Sequence, residues 1–458
     1  MEPTNLRFGG GATGTILHPL VAAALFVTVT LIFVLPRKYV VIPSLATMLL
    51  VPFGQVVVLG GVHFTVYRIV VLFGLVRLAA TTPPANANRL RGGFTAIDRA
   101  FMLCALFSCI AFSLQWMAIP AVIKSLGNLL DSLGGYFVLR FLIADRQDME
   151  RAIKALAVIA LALSVCMINE QLTHKNVFGL LGGTPLGVAI RDGKVRATGS
   201  FEVYITAGTF GATLVPLFIW LWAAAKSRVA ALLGMVGATL ITITSNSSTP
   251  LLAYVAGLVG LCFWPLRRRM RSVRWGLVLI LVGLHLYMKS PVWALIARID
   301  LTGSSSGFHR YMLVDNCIRH FGEWWLVGVK DYDSWGFDMW DLSNQYVADA
   351  VTGGLITLVF FVATISRGFG ALGKARARMA GNVGNEWVLW CLGAALFAHV
   401  VAYFGIGYFD QMQVAWDLLL AMICVAASQT VSVPIVSEER ASIWSGVPSD
   451  AWSVELDR

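Results

Sequence analysis

The chain is 458 residues long, 57% hydrophobic and only 13% charged, with a formal net charge of +10. Its mean hydropathy is +0.74. Soluble domains run near about 45–50% apolar and about 25% charged, so the composition excludes a water-soluble globular protein and points to an integral membrane protein.

Lipid leaves every backbone polar group to be satisfied within the protein, so the spans should be helices. Apolar runs long enough to cross a hydrocarbon core of ~30 Å predict an all-α, polytopic bundle of about 12–13 transmembrane helices. They lie near 18–35, 40–59, 64–80, 100–119, 121–143, 152–170, 203–225, 229–245, 249–266, 275–289, 351–371, 387–405 and 412–429. The first is followed directly by Arg37 and Lys38 rather than by a small-residue cleavage site, and reads as a retained helix rather than a signal peptide. The fifth is interrupted by Lys124, Asn128 and Asp131, which suits a tilted or cavity-lining helix.

Basic residues fall in alternate connections: Arg37 and Lys38; Arg89, Arg91 and Arg99; Arg146, Arg151 and Lys154; Lys226 and Arg228; Arg267 to Arg274; and Lys374, Arg376 and Arg378. The positive-inside bias puts those loops in the cytoplasm, and topology then explains most of the charge without a nucleic-acid partner. The chain divides into N-terminal membrane helices (1–171), a first outer loop (172–202), central helices (203–289), a long outer loop with an amphipathic stretch (290–350), C-terminal helices (351–430) and a polar cytoplasmic tail (431–458). Of the seven cysteines only Cys317 falls in an outer loop, so no disulfide pair is expected there.

The two outer loops carry arginines where the charge rule disfavours them. Arg191 and Arg196 lie in the first, and Arg298, Arg310 and Arg319 in the second. Arg196 is expected one turn before a helix N-terminus, where free backbone N–H groups and the helix dipole favour a phosphate. Guanidinium forks suit diphosphate oxygens, and Arg191, Arg196, Arg310 and Arg319 are the candidate diphosphate-binding set. The alternative is that these side chains snorkel to lipid headgroups.

Candidates for a general base are His320, Asp315 and Asp341, and less strongly His309. If 307–322 is helical, His320 shares a face with Asn316 and Cys317, and Arg319 stands one turn after Asp315, where a plain ion pair is the simpler account. Between Glu323 and Tyr346 the loop is dense in rings, among them Trp324, Trp325, Tyr332, Trp335, Phe337, Trp340 and Tyr346. Trp324, Trp335, Trp340 and Tyr346 could stack on sugar faces while Asn344 and Gln345 orient hydroxyls. An interfacial aromatic belt would use the same residues. Asp331 with Asp333 and Asp338 with Asp341 have spacings that could hold a divalent cation, yet no ligand set is completed and no metal is expected. Phosphate-loop, dinucleotide and zinc-protease motifs are absent from the sequence, so no cofactor is expected either.

Taken in order, Arg196-Ala197-Thr198-Gly199-Ser200-Phe201, Thr242-Ile243-Thr244-Ser245-Asn246-Ser247-Ser248, Ser306-Gly307-Phe308-His309-Arg310, Leu326-Val327-Gly328, Ser343-Asn344-Gln345-Tyr346 and Gly353-Gly354 resemble the O-antigen ligase and polymerase superfamily. The likeness spans about Leu172 to Ala371. It implies a GT-C type, inverting, metal-independent glycosyltransferase of the bacterial inner membrane, with its site facing outward. The donor would be an undecaprenyl-diphosphate-linked glycan and the acceptor a hydroxyl on another glycan or a lipid core. Arg196 and Arg310 match the family arginines, whereas Ser343 stands where the family often carries a histidine. Polymerase and ligase are not separable at this level. Two other readings stay open: a secondary transporter using Lys124, Asp131 and Asp410-Gln411, and a structural partner in an envelope assembly.

Overall fold

A computed structural model describes residues 14–82, 88–224, 227–298, 307–336 and 338–429. The polar tail, Pro83 and Pro84, Lys226, Ser306 and Phe337 lie outside them. The chain builds an all-α bundle of a multi-pass membrane protein. In order it forms α1 (Pro19–Val34), α2 (Arg37–Leu50), the hairpin β1 (Val56–Leu59) and β2 (Val62–Thr65), α3 (Val66–Ala80), α4 (Ala96–Trp116), α5 (Ile119–Leu129), a π turn (Leu130–Gly134), α6 (Gly135–Leu142) and α7 (Arg146–Thr173). Then come the hairpin β3 (Ala189–Arg191) and β4 (Lys194–Arg196), α8 (Tyr204–Ala224), α9 (Arg228–Thr244), α10 (Ser248–Cys262), α11 (Met270–Tyr287), α12 (Gly307–Arg319), the short α13 (Phe321–Trp324), α14 (Gln345–Arg378), α15 (Val383–Ala402) and α16 (Met412–Gln429).

Among the described residues, six helices are long and apolar enough to cross a membrane, fewer than the apolar runs read from the sequence. The expected span at 40–59 is one correction. Helix α2 stops at Leu50, before Pro52, and Val56–Leu59 turns back on Val62–Thr65 through Gly60 and Gly61, both with positive φ. Two glycines suit a two-residue hairpin turn that needs φ above zero twice. The span at 121–143 is also not one regular helix, because the π turn divides it at Asp131.

Apart from Gln413 and the buried Asp417, helix α16 is apolar through its middle, with Leu418 to Val425 each at most 1% exposed, and forms the centre of the bundle. Helix α11 is the opposite: none of its residues is buried, which leaves it at the periphery. The basic loops gather at one end. Arg37 Nη2 reaches Asp148 Oδ2 at 3.1 Å, Arg146 Nη1 reaches Asn385 Oδ1 at 3.0 Å, and Arg267 Nε reaches Glu386 Oε2 at 3.0 Å.

A different set of loops meets elsewhere. Gln55 Nε2 donates to Leu181 O (2.6 Å), Gln411 Nε2 donates to Ser200 O (2.6 Å), and the Gln345 N–H donates to Tyr403 O (2.8 Å). The long loop has a small core of its own in which Leu313, Cys317, Trp324 and Met339 pack on Val347, Ala350 and Val351 of α14. Gly354 interrupts α14 with φ of 73°. The freed groups are taken up by the loop: Leu355 N–H donates to Trp325 O (2.9 Å) and Val351 O accepts from Val329 N–H (2.8 Å). A Cβ on Gly354 would stand 2.6 Å from Leu326 O. Gly354→Val should therefore cost at least the ~1–3 kcal/mol of a strained backbone, seen as a lower unfolding temperature in detergent. Wild-type stability in that variant would mean that this stitch does not hold the loop.

Candidate functional site

Arg196 ends β4, and this placement corrects the expectation that it sits one turn before a helix. Helix α8 begins at Tyr204, eight residues later. The hairpin turns at Asp192 and Gly193, with φ of 53° and 71°, the Asp-Gly signal for such a turn. The segment after it is pinned by buried polar groups. The Glu170 carboxylate accepts from the N–H groups of Thr198 and Gly199, each at 3.0 Å, and the Ala197 N–H donates to Thr244 O at 3.2 Å. Gly199 has φ of 60°, and a Cβ there would stand 2.6 Å from Leu163 Cδ1. Held this way, Arg196 is only 4% exposed. Its Nη1 donates to the Tyr204 hydroxyl at 2.7 Å, and its guanidinium lies 4.7 Å from the centre of that ring. Hydrogen bonds to a charged acceptor contribute about 1.5–3 kcal/mol each, so Glu170→Ala should lower stability by a few kcal/mol. It should also loosen the arginine loop, measurable as faster amide exchange at Thr198 and Gly199; unchanged exchange would count against the anchor.

Arg310 comes from the other loop. It lies in the first turn of α12 and is 7% exposed, and its Nε has no hydrogen-bond partner among the described residues. Burial pushes its pKa below the usual arginine range. The Asp341 and Tyr204 charges act against that shift, while Arg191 and Arg196 add to it. Arginines from both loops thus lie within electrostatic reach of one another. Asp341 is held beside them: His309 Nε2 lies 3.0 Å from its backbone oxygen and 4.0 Å from Oδ2. Burial raises the Asp341 carboxyl above its ordinary value, opposed by His309 and Arg310 and reinforced by Asp338.

The remaining candidates are dispersed. His320 stacks on Trp335 with ring centres 4.8 Å apart and bonds Glu323 Oε1 at 2.7 Å. It follows Arg310 by ten residues, roughly 15 Å along a helix axis, so His320 and Trp335 stand away from the arginine pair. Asp315 accepts from Arg319 Nε (2.7 Å) and Trp293 Nε1 (3.1 Å), the plain ion pair that the spacing allowed, and the Arg319 side chain is 70% exposed. Trp324 is buried in the loop core, its Nε1 donating to Cys317 O at 2.7 Å, whereas Trp340 is exposed. Asn344 caps α14 by accepting from Val347 N–H, and Tyr346 donates to Val400 O at 3.2 Å within an aromatic cluster. Arg191, on the hairpin, pairs with Asp192 at 3.8 Å.

Gln345 faces a cavity of about 480 Å³ inside the bundle. Lys124, Asn128 and Asp131 line it as well, which makes the interrupted fifth segment a cavity wall. Asp131 is paired in two places with Arg68, at 2.8 Å and 2.6 Å. Two carboxylates that sequence reasoning did not assign to a site, Glu202 and Asp349, also line it, together with Asp410, which the transporter reading had named. Asp410 Oδ2 accepts from the Thr206 hydroxyl (2.7 Å) and the Glu202 N–H (3.2 Å). Burial raises Asp410 to about 7, and the neighbouring Glu202 charge adds to the shift. Burial likewise lifts Glu202 above its ordinary value. The lining reaches Glu202 and Gln345 and does not include Arg196 or Arg310. Chain segments 196–204 and 341–345 connect the arginine cluster to the cavity lining through Glu202 and Gln345. Two signals could have revealed the missed carboxylates: Glu202 directly follows the Arg196–Phe201 run, and Asp349 falls one turn after Gln345 in an otherwise apolar helix.

Compared with known proteins, the sequence matches no protein-family model and no curated protein.

Proposed function

We propose that the protein is a membrane glycosyltransferase that moves a glycan from an undecaprenyl diphosphate carrier to a sugar hydroxyl at the loop end of the bundle, on the outer face of a bacterial inner membrane. One observation carries this reading: the buried Arg310, whose Nε has no partner among the described residues, within electrostatic reach of Arg196 and Arg191. Arg196 and Arg310 are both buried, and like charges held out of water are unfavourable unless an anion joins them. A diphosphate supplies two or more negative charges and oxygens spaced for guanidinium forks.

In that reading Arg196 and Arg310 hold the diphosphate while the bond to the anomeric carbon breaks. Their positive charge is fixed in place before negative charge grows on the leaving oxygen, so little reorganisation is needed in the transition state. Tyr204 keeps the Arg196 fork oriented, and Asp341 balances Arg310 until the donor arrives. The activated sugar linkage itself supplies the driving force.

The test is transfer by the purified protein from the lipid-linked glycan that accumulates in cells lacking it. Release of undecaprenyl diphosphate together with a joined glycan supports the proposal, and neither product would sink it. Single repeat units on the accumulated carrier indicate a polymerase, and long chains a ligase. The cavity favours one rival, a transporter of a polar solute, because it lies within the bundle and is lined by Lys124 and by Asp131, the ion-pair partner of Arg68. Counterflow of a solute across proteoliposomes, with no chemical change, would select that rival.

A further inference from the structure

The cavity beside the arginines has the chemistry of a sugar pocket. Its volume of about 480 Å³ falls among small-molecule sites, which run from about 300 to 1,000 Å³. Tyr403, Tyr408 and Trp416 give it ring faces, while Gln345 and Asp349 give it hydrogen-bonding ends. Rings stack on the C–H faces of sugars, and amides and carboxylates take up hydroxyls. Asp349 Oδ1 accepts from Gln345 Nε2 at 3.0 Å, whereas its buried Oδ2 has no partner among the described residues. That oxygen is open to a ligand hydroxyl.

Glu202 lies on the cavity lining, six residues after Arg196 in the chain. Its backbone is tied to Asp410, and two residues later Tyr204 carries the Arg196 guanidinium. The Asp410 carboxylate already accepts from Met412 N–H, Glu202 N–H and the Thr206 hydroxyl. Asp341 stands on the arginine side, next to His309. Glu202 is therefore the carboxylate placed between a sugar in the cavity and a diphosphate on the arginines.

We infer that the cavity receives the acceptor sugar and that Glu202 takes the proton from its attacking hydroxyl. This rests on the transferase reading. The hydroxyl proton passes to the Glu202 carboxylate, and the hydroxyl oxygen bonds to the anomeric carbon of the donor glycan. The bond from that carbon to the diphosphate oxygen breaks with its electron pair going to the oxygen, and undecaprenyl diphosphate leaves on the arginines. Glu202 then returns its proton to water. Partial desolvation of this carboxyl raises its pKa above the ordinary value, the direction that makes a carboxylate a better base.

The experiment uses the full chain, the lipid-linked glycan accumulated in its absence, and undecaprenyl diphosphate as a separate binding probe. Glu202→Gln should lower kcat about 100-fold or more while undecaprenyl diphosphate still binds, and Glu202→Ala should regain rate when formate is added. Asp349→Asn should raise KM for the acceptor glycan without weakening undecaprenyl diphosphate binding. Wild-type rates in Glu202→Gln overturn the base and leave the transferase standing; an unchanged acceptor KM in Asp349→Asn overturns the pocket. Loss of both transfer and binding in Glu202→Gln, without formate rescue of Glu202→Ala, makes Glu202 structural and overturns its role. If the wild-type protein releases no undecaprenyl diphosphate, the transferase reading itself fails and takes this inference with it.

Discussion

Arg310→Ala is expected to reduce glycan transfer by about 100- to 1,000-fold, the range found when one preorganised donor to a developing negative charge is removed. That corresponds to roughly 3–4 kcal/mol of transition-state stabilisation. Folding should respond differently. Arg310 is buried with its Nε open, and it feels the charges of Arg191 and Arg196. Its pKa stays lowered in spite of Asp341, so removing this buried cation relieves desolvation and repulsion, and the unfolding temperature should hold or rise. Activity falling while stability is kept is the pattern of a site strained for function. Arg310→Lys keeps the charge but not the fork, and should fall between the two. Arg196→Ala should behave similarly in rate, and the double variant should lose less than the product of the two single losses, because both groups grip one leaving group. The measurement is kcat/KM beside thermal unfolding in the same detergent. Unchanged rates in both single variants would remove the mechanism, and a matching collapse of stability would reduce Arg310 to a structural residue.

Much of this arrangement was legible in the sequence because short motifs mark where the backbone does something unusual. The runs at Arg196–Phe201 and Thr242–Ser248 are far apart in the chain, yet Ala197 bonds to Thr244. Leu326-Val327-Gly328 and Gly353-Gly354 prove to be two sides of one break in α14. Arginines in loops where the charge pattern disfavours them were the other legible signal. What escaped reading depends on packing. The hairpin at Asp192-Gly193 has a local turn signal, yet its short strands of three residues carry no strand periodicity to read. Which loop aromatics would face a ligand could not follow from composition, because Trp324 serves the loop core and Trp335 stacks on His320. The cavity is harder still, since its lining is drawn from segments 53–67, 101–132, 202, 345–364 and 403–416. No periodicity within one helix reveals that Glu202 and Asp410 become neighbours.

Asp131→Ala should produce the largest loss of stability, about 3–5 kcal/mol, because it would leave Arg68 unpaired in the bundle. The two side chains are 14% and 12% exposed and joined through both Nε and Nη2, and Arg68 Nη1 adds a bond to His63 O at 2.6 Å. Gly127 makes room for the guanidinium, as a Cβ there would stand 2.8 Å from Arg68 Nη2. Replacing both partners by apolar residues of similar size, Arg68→Met with Asp131→Leu, should restore most of the lost stability, since a well-packed apolar pair avoids the desolvation cost. The double variant also separates the two functional readings. In a transferase the pair only braces the cavity wall, and transfer should survive within about tenfold, the effect of a change of about 1.4 kcal/mol. A transporter that uses an intramembrane carboxylate to bind its solute would lose counterflow altogether. Transfer abolished in a double variant of wild-type stability would contradict the bracing role and move Asp131 into the working site.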